Sequence, residues 1–393
     1  MMKELPTVTI GIAGAGYAAH LHCCGYRRVH GCRVDLRAVA DPDRARAEKL
    51  AAEFEIPGVA EDFRDLLADP AIQVIDIVTP PCFHARMIEE ALEAGKHVIC
   101  EKPLTGYFGA EGDASPVGAV PKQRMYDAVC AELARLEAVI ARSCRRFCYA
   151  ENFVYAPPLV KTAEIIAAKR SKILFMRGEE LLKGSSSALA GEWSGTGGGT
   201  LIRCGTHPLT GLLYLKRREA AARGETIAPV SVVCDAGQAT KCLDEHDHRH
   251  ISARPHDVED FAQMVITFSD GTKASVLATD TALGGTRNAV DVYSSDGVFT
   301  CNITPNDILN AYCLDEEGLD GVAFSEMLPA KTGWNKVFVC DDVIRGYHGE
   351  LQDFVEAVAF DREPESSFEL AAQTTRLIYA AYLAAETGTR VTL

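Results

Sequence analysis

Of the stretches of this 393-residue chain that hold groups able to do chemistry, three are readable from residue type and spacing alone. The first is Gly14-Ala15-Gly16-Tyr17-Ala18-Ala19, a GxGxxA pattern. Glycines at that spacing let a chain reverse tightly and bring backbone N–H groups against an anion, which is the chemistry of pyrophosphate binding. Gly14 serves the turn, Gly16 the close approach and Ala19 the packing of the helix that follows. The second is Asp41, placed where a carboxylate accepts hydrogen bonds from an adenosine ribose and repels a 2′-phosphate. NAD is the expected cofactor, and Arg44 and Arg46 keep NADP open. The competing role for Asp41 is to cap a helix starting at Pro42. The third is Asp244-Glu245-His246-Asp247-His248-Arg249-His250. On a strand its three histidines would share one face and could hold a transition metal, whereas in a polar loop they are solvated. No closed ligand set accompanies them, and no metal is assigned; His256, just beyond, is a candidate to reach a cleft.

A glycine loop of this kind has meaning only between a strand and a helix. Residues 7–13 (TVTIGIA) are β-rich, 18–30 suit a helix, 33–40 (RVDLRAVA) form a second strand and 42–54 an Ala/Arg/Glu-rich helix. A short helix at 61–68, a buried strand at 74–78 (VIDIV), a helix at 83–94 and a strand at 97–100 continue the alternation of a doubly wound parallel sheet. Residues 106–123, rich in Gly and Pro, read as a surface loop or insertion. A helix at 124–143 and a strand at 147–153 follow. Beyond Pro157 and Pro158 come strands at 172–177, 230–235, 260–268, 272–278 and 289–293. The turns Ser269-Asp270-Gly271 and Ser295-Asp296-Gly297 join some of them as hairpins. Helices at 163–169, 208–215, 349–360 and 368–386 are expected to cover the faces. The expected organisation is α/β plus α+β: a Rossmann domain over residues 1–152, then a second domain over 153–393 with a large, mostly antiparallel open sheet.

Composition agrees with a globular chain: 47% of residues are hydrophobic and 24% charged, with a formal net charge of −15. That charge repels phosphate backbones and anionic lipid, so neither nucleic acid nor a membrane is an expected partner. No apolar run approaches the length of a bilayer span, and residues 1–16 lack the pattern of an export signal. Fourteen cysteines at scattered spacings, without CxxC pairs, read as reduced thiols of a cytoplasmic protein.

The stretch IDIVTPPCFHARMIEEALEAGKHVICEKPL carries a more specific signal. It contains Thr79-Pro80-Pro81-Cys82-Phe83-His84, Ala94-Gly95-Lys96-His97-Val98 and Glu101-Lys102-Pro103. A second block runs Gly197-Gly198-Gly199-Thr200-Leu201-Ile202-Arg203-Cys204-Gly205-Thr206-His207. Together they resemble the glucose-fructose oxidoreductase and inositol dehydrogenase family (Gfo/Idh/MocA), whose patterns are TPxxxH, AGKHV, EKP and GGGxLxDxGxH. The resemblance implies that Lys102 faces the nicotinamide and polarises the reacting oxygen, and that His207 is the general acid/base. Both fit the chemistry, because an ammonium stabilises a developing alkoxide and imidazole titrates near neutral pH. Thr79, Pro80, His84, Glu101 and Asn152 join Gly14, Gly16, Tyr17, Ala18, Ala19, Asp41 and Lys102 as cofactor-site residues by the same implication. So does a homo-oligomer formed through the open sheet.

Two positions depart from the pattern. Arg203 stands where the family has an Asp that orients the histidine and touches substrate hydroxyls, and Thr210 stands where another Asp follows. The usual Asp/His pair is therefore expected to be missing. Arg203 either meets a carboxylate on an acidic substrate or pairs with a carboxylate of the protein. The expected function is hydride transfer between NAD(P) and a secondary hydroxyl or ketone of a sugar, polyol or related ring compound, with an acidic one suited to Arg203. The alternatives are a redox-neutral glycoside-processing enzyme that keeps NAD bound, and a non-catalytic dinucleotide-binding sensor.

Overall fold

A computed structural model describes residues 5–185, 187, 189–304, 309–313, 332–337 and 341–393. The chain begins with β1 (Thr7–Ala13), α1 (Tyr17–Tyr26), β2 (Arg33–Ala40), α2 (Arg44–Phe54), β3 (Gly58–Ala60), α3 (Phe63–Ala68), β4 (Val74–Ile77), α4 (His84–Glu93), β5 (His97–Glu101), α5 (Lys122–Ser143) and β6 (Phe147–Ala150). These six strands form one parallel sheet in the order β3-β2-β1-β4-β5-β6. The order reverses at β1, where β2 and β4 leave it on opposite sides, and the crevice beyond the carboxyl ends there is where such sheets bind ligands. β4 is buried at all four positions, as the near-continuous apolar run of a central parallel strand requires. Asp76 is the exception in that run. β3 is short and was not expected from the sequence.

The second half runs α6 (Pro157–Lys169), β7 (Ile173–Leu181), α7 (Trp193–Thr196), α8 (Thr200–Arg203), α9 (Thr206–Arg223), β8 (Pro229–Gly237), β9 (Phe261–Phe268), β10 (Lys273–Thr279), β11 (Arg287–Ser294) and β12 (Val298–Asn302). After β13 (Leu309–Cys313) and β14 (Gly333–Val337), which pair as a hairpin, come α10 (Asp341–Ile344), α11 (Tyr347–Ala359), α12 (Phe368–Thr387) and β15 (Val391–Thr392). Seven strands make a second sheet in the order β12-β11-β7-β10-β9-β8-β15. It is antiparallel except where β7 meets β10. The two expected hairpin turns do join β9 to β10 and β11 to β12. Among the described residues no disulfide forms, and no helix is long and apolar enough to cross a membrane.

Two expectations are corrected. Helix α11 does not cover the second sheet; it packs on α1 of the first domain, where the Gln352 side chain exchanges hydrogen bonds with the His30 backbone at 3.0 and 2.9 Å. The segment 106–123 is only partly a surface loop. Tyr107 and Val120 are buried, the Trp193 indole N–H donates to Tyr107 O at 3.0 Å, and the Gly118 N–H donates to Asp257 at 2.8 Å. The segment thus ties the two domains together. Of the two readings of the histidine run, the strand does not hold: residues 247–250 form a 3₁₀ turn. At three residues per turn, positions two apart point about 120° from each other, so His246, His248 and His250 do not share a face.

Candidate active site

The carboxyl ends of β1, β2 and β4 open on a cleft of about 780 Å³, lined by Gly14, Ala15, Gly16, Tyr17, Ala18, Asp41, Thr79 and Pro80 among others. Gly14 has φ +108°, and a Cβ there would lie 2.6 Å from Val78 O, so no other residue serves this turn. A Cβ at Gly16 would meet nothing within 4 Å, which leaves the loop open toward the cleft. Helix α1 starts there with no side-chain cap and no acidic residue in its first turn, so its N–H groups are left for an anion. Ala19 is buried behind them. Asp43, not Asp41, caps α2. The Asp41 carboxylate accepts from Ala15 N and Asp43 N, each at 2.8 Å, and holds the glycine loop against the end of β2 while lining the cleft. Arg44 turns away to Glu48 at 2.8 Å, and Arg46 pairs with Asp43 at 3.0 Å. These residues fit a dinucleotide: an uncapped helix start for the pyrophosphate and a carboxylate at the ribose position.

Lys102 leaves the end of β5, and Glu151 leaves the end of the neighbouring β6, one position beyond the paired Glu101 and Ala150. The Lys102 ammonium donates to Arg203 O at 2.8 Å, and its backbone N–H donates to Glu101 at 2.8 Å. Glu101 is buried. Burial alone would raise its carboxyl pKa, but His22, Lys102 and His207 outweigh it and the net shift is downward. His22 lies between Asp76, 2.9 Å from its Nδ1, and Glu101, 3.4 Å from its Nε2. Burial opposes protonation of this ring, yet the two flanking carboxylates prevail and raise its pKa well above the ordinary value. Tyr26 completes the cluster by donating to Asp76 at 2.9 Å. His84 is fully buried and meets Pro103 O and Thr79 O, both at 2.9 Å, so it holds the β4 and β5 exits together without lining the cleft.

His207 sits in the first turn of α9, stacked on Phe153 at 5.1 Å with an interplanar angle of 20°. Its Nδ1 lies 2.7 Å from Glu151 Oε1. A carboxylate only accepts, so Nδ1 carries the proton and Nε2 is the nitrogen left to act on a substrate. The usual Asp/His pair is missing, as the sequence leads one to expect, and the acidic partner of His207 comes instead from Glu151 of the Rossmann domain. The Arg203 guanidinium pairs with the buried Asp280, so the charge that would draw an acidic substrate is already met within the protein. Thr210 donates back to Thr206 O at 2.8 Å inside α9. Asn152 donates to Arg345 O at 2.8 Å and fastens the segment before α11. His256 is exposed and meets Glu192 at 3.1 Å, away from these groups.

Sequence reasoning missed His22 and Glu151. Asp76 in an apolar strand was a signal for the first, because a buried carboxylate needs a partner. A charged residue at the exit of a parallel strand was a signal for the second.

Two family models match the chain: the oxidoreductase family with an NAD-binding Rossmann fold over residues 8–111, and the GFO/IDH/MocA C-terminal domain over residues 183–300. The chain belongs to the Gfo/Idh/MocA oxidoreductases. Levoglucosan dehydrogenase of Pseudarthrobacter phenanthrenivorans is 27% identical over 93% of this chain and 92% of its own. The uncharacterized oxidoreductase YrbE of Bacillus subtilis is 37% identical, but that match spans 31% of this chain and 34% of YrbE. Scyllo-inositol 2-dehydrogenase (NAD(+)) of Bacillus subtilis is 46% identical over 18% of this chain and 20% of its own. Among solved structures, GenD2 from gentamicin A biosynthesis, in complex with NAD, has the same fold with a TM-score of 0.78 at 22% identity, over 100% of this chain and 97% of that one. Levoglucosan dehydrogenase in complex with NADH and L-sorbose gives 0.72 at 20% identity, over 99% of both chains. In Gfo/Idh/MocA terms the glycine loop and the EKP turn fall inside the first matched model, and Arg203 and His207 inside the second.

Proposed function

We propose that this chain oxidises a secondary hydroxyl of a sugar, polyol or related ring compound, and reduces the ketone in the reverse direction. The observation that carries the reading is the Lys102, His207 and Glu151 arrangement at the seam of the two domains, beside an NAD-binding cleft. A bound nicotinamide supplies the hydride acceptor or donor. Lys102 holds the reacting oxygen and stabilises its developing negative charge. His207 Nε2 takes the hydroxyl proton, and Glu151 keeps the ring in the required tautomer and offsets the charge it gains. Arg203, through its backbone carbonyl, positions Lys102. Relatives named for levoglucosan and scyllo-inositol support ring polyols and sugars as the substrate class.

Single-turnover NADH formation on a panel of inositols, sugars, glycosides and uronates tests this. The wild type should form NADH with at least one neutral ring polyol or sugar, and Lys102→Ala and His207→Ala should each lose about 10²- to 10⁴-fold in rate. A silent wild type whose denaturation releases no nucleotide would overturn the reading. Silence with released NAD would replace it with redox-neutral chemistry.

A further inference from the structure

Near Lys102 and His207 lies a buried carboxylate with an unpartnered oxygen on the second sheet. Glu180 on β7 is 8% exposed, and its Oε2 has no hydrogen-bond partner among the described residues. Directly across the β7–β11 ladder stands Asn288, 2% exposed, whose Oδ1 is equally without one. Opposed residues of an antiparallel pair share a face, so both side chains leave the sheet on the same side.

Two close approaches identify that side. Gly178, two residues before Glu180 and on the same face, has no room for a Cβ, which would lie 2.8 Å from Pro208 Cβ. Ala278, the β10 neighbour of Glu180, would lie 3.3 Å from a Cβ on Gly205. The face carrying Glu180 and Asn288 is thus pressed against the segment that bears His207. The charged and titratable groups within reach of Glu180 are His207, Lys102, Arg345, Glu151 and Cys204. Burial raises its carboxyl pKa, and the neighbouring cations offset only part of that.

Unpartnered buried acceptors cost stability, and a protein of this size has no need to keep two side by side. We infer that Glu180 and Asn288 form a subsite that accepts hydrogen bonds from hydroxyls flanking the reacting carbon, and that the substrate is an uncharged ring bearing neighbouring hydroxyls rather than a uronic acid. The contact to substrate hydroxyls that the family pattern assigns to an Asp at position 203, and that Arg203 cannot make, is thereby regained from the sheet. This inference rests on the function proposed above.

Two measurements test it, one independent of turnover. Thermal unfolding of ligand-free wild type and Glu180→Gln is compared from pH 4.5 to 8.5. A carboxyl whose pKa is raised by folding stabilises most when protonated, and that stability is lost as pH rises through the raised value. Glu180→Gln should therefore melt higher than the wild type, by a margin that widens as pH rises from the ordinary carboxylate range through the raised value and is constant above it. A variant that melts lower across the range has lost a structural interaction, and the inference falls. Initial rates with scyllo-inositol, levoglucosan and glucuronate form the second arm. Glu180→Gln should raise KM for the neutral probe by about tenfold, as expected for losing a hydrogen bond to a charged acceptor. It should also narrow discrimination against glucuronate and leave the NADH dissociation constant within about twofold. Asn288→Ala should raise KM by a smaller factor. An unchanged KM overturns the subsite while the proposed dehydrogenase stands. A wild type silent on every probe removes the dehydrogenase instead, and the melting comparison still decides whether Glu180 is held in place at the expense of stability.

Discussion

Helix α9 carries a buried charge cluster at each end, and the two are built on opposite rules. Toward its C-terminal end Lys216, 2% exposed, bonds Glu219 at 2.7 Å and Asp270 at 3.0 Å. Lys172 meets Glu219 at 3.2 Å, Asp270 at 2.7 Å and Glu225 at 3.0 Å, so every charge in this group faces an opposite one. At the N-terminal end Glu180 Oε2, Glu151 Oε2 and both Glu350 oxygens are buried without hydrogen-bond partners. Burial pushes the Glu180 and Glu350 carboxyls upward. Asp270 behaves the other way. Burial would raise it, but Lys172, Thr272 and Lys216 hold its carboxyl well below the ordinary range. A cluster whose charges cancel holds the fold together, whereas one left incomplete holds acceptors ready for a ligand.

The largest effect that would sharpen this contrast comes from Glu151. Glu151→Gln keeps the shape and an acceptor for His207 Nδ1 but removes the charge that offsets a protonated imidazole. The expected result is a fall in kcat of about 10²-fold with the NADH dissociation constant unchanged. A kcat near that of the wild type would show that His207 works without its buried partner. If Glu151→Gln instead unfolds the protein, the contrast between the two ends of α9 is lost.

Next in size is the paired cluster. Lys216→Met leaves Glu219 and Asp270 short of a buried cation, and breaking such a group costs on the order of 3 kcal/mol in stability. Catalysis by the folded fraction should be unchanged. The pH dependence separates the two ends as well. A carboxyl whose pKa is depressed by folding contributes stability above the ordinary range near pH 4, and loses it as pH falls through its folded value. Lys216→Met should therefore flatten the profile below the ordinary carboxylate range, while Glu180→Gln flattens it above that range. Denaturant melts at pH 2 to 8 read both, and equal losses at all pH values would dissolve the distinction.

The fold was largely legible in the sequence because its signals are local. β1 and β2 fall at residues 7–13 and 33–40 as the β-rich runs predict, and the glycine loop lies between a strand and a helix. What stayed hidden was set by distant contacts. Glu151 and His207 are 56 positions apart, and nothing near either residue announces their 2.7 Å contact. His22 reads as one polar residue on a short helix until Asp76 and Glu101, from two separate strands, close around it. Arg203 was legible as an anomaly, since its charge breaks a recognisable pattern. Its partner Asp280 lies beyond the end of β10, where no spacing rule reaches. The histidine run stayed ambiguous because alternation along a sequence implies a shared face only on a strand, and residues 247–250 form a 3₁₀ turn.

The smallest expected effect belongs to the exposed cleft, where water and salt screen charge more than in either buried cluster. Asp41 is half-buried, and both its oxygens already accept backbone N–H groups, from Ala15 and Asp43. Its negative charge still lines the cleft, while Arg44 is engaged with Glu48 and Arg46, on the same cleft, with Asp43. The wild type should bind NADH at least about tenfold more tightly than NADPH, a difference of roughly 1.4 kcal/mol. Asp41→Asn removes the charge but can still accept from Ala15 N, so it should bring the two dissociation constants together mainly by strengthening NADPH binding. Tryptophan or nicotinamide fluorescence titrations measure both. Equal affinities in the wild type would mean that Asp41 serves only to hold the glycine loop, which would make the cleft, like the C-terminal end of α9, a place where charges are spent on structure.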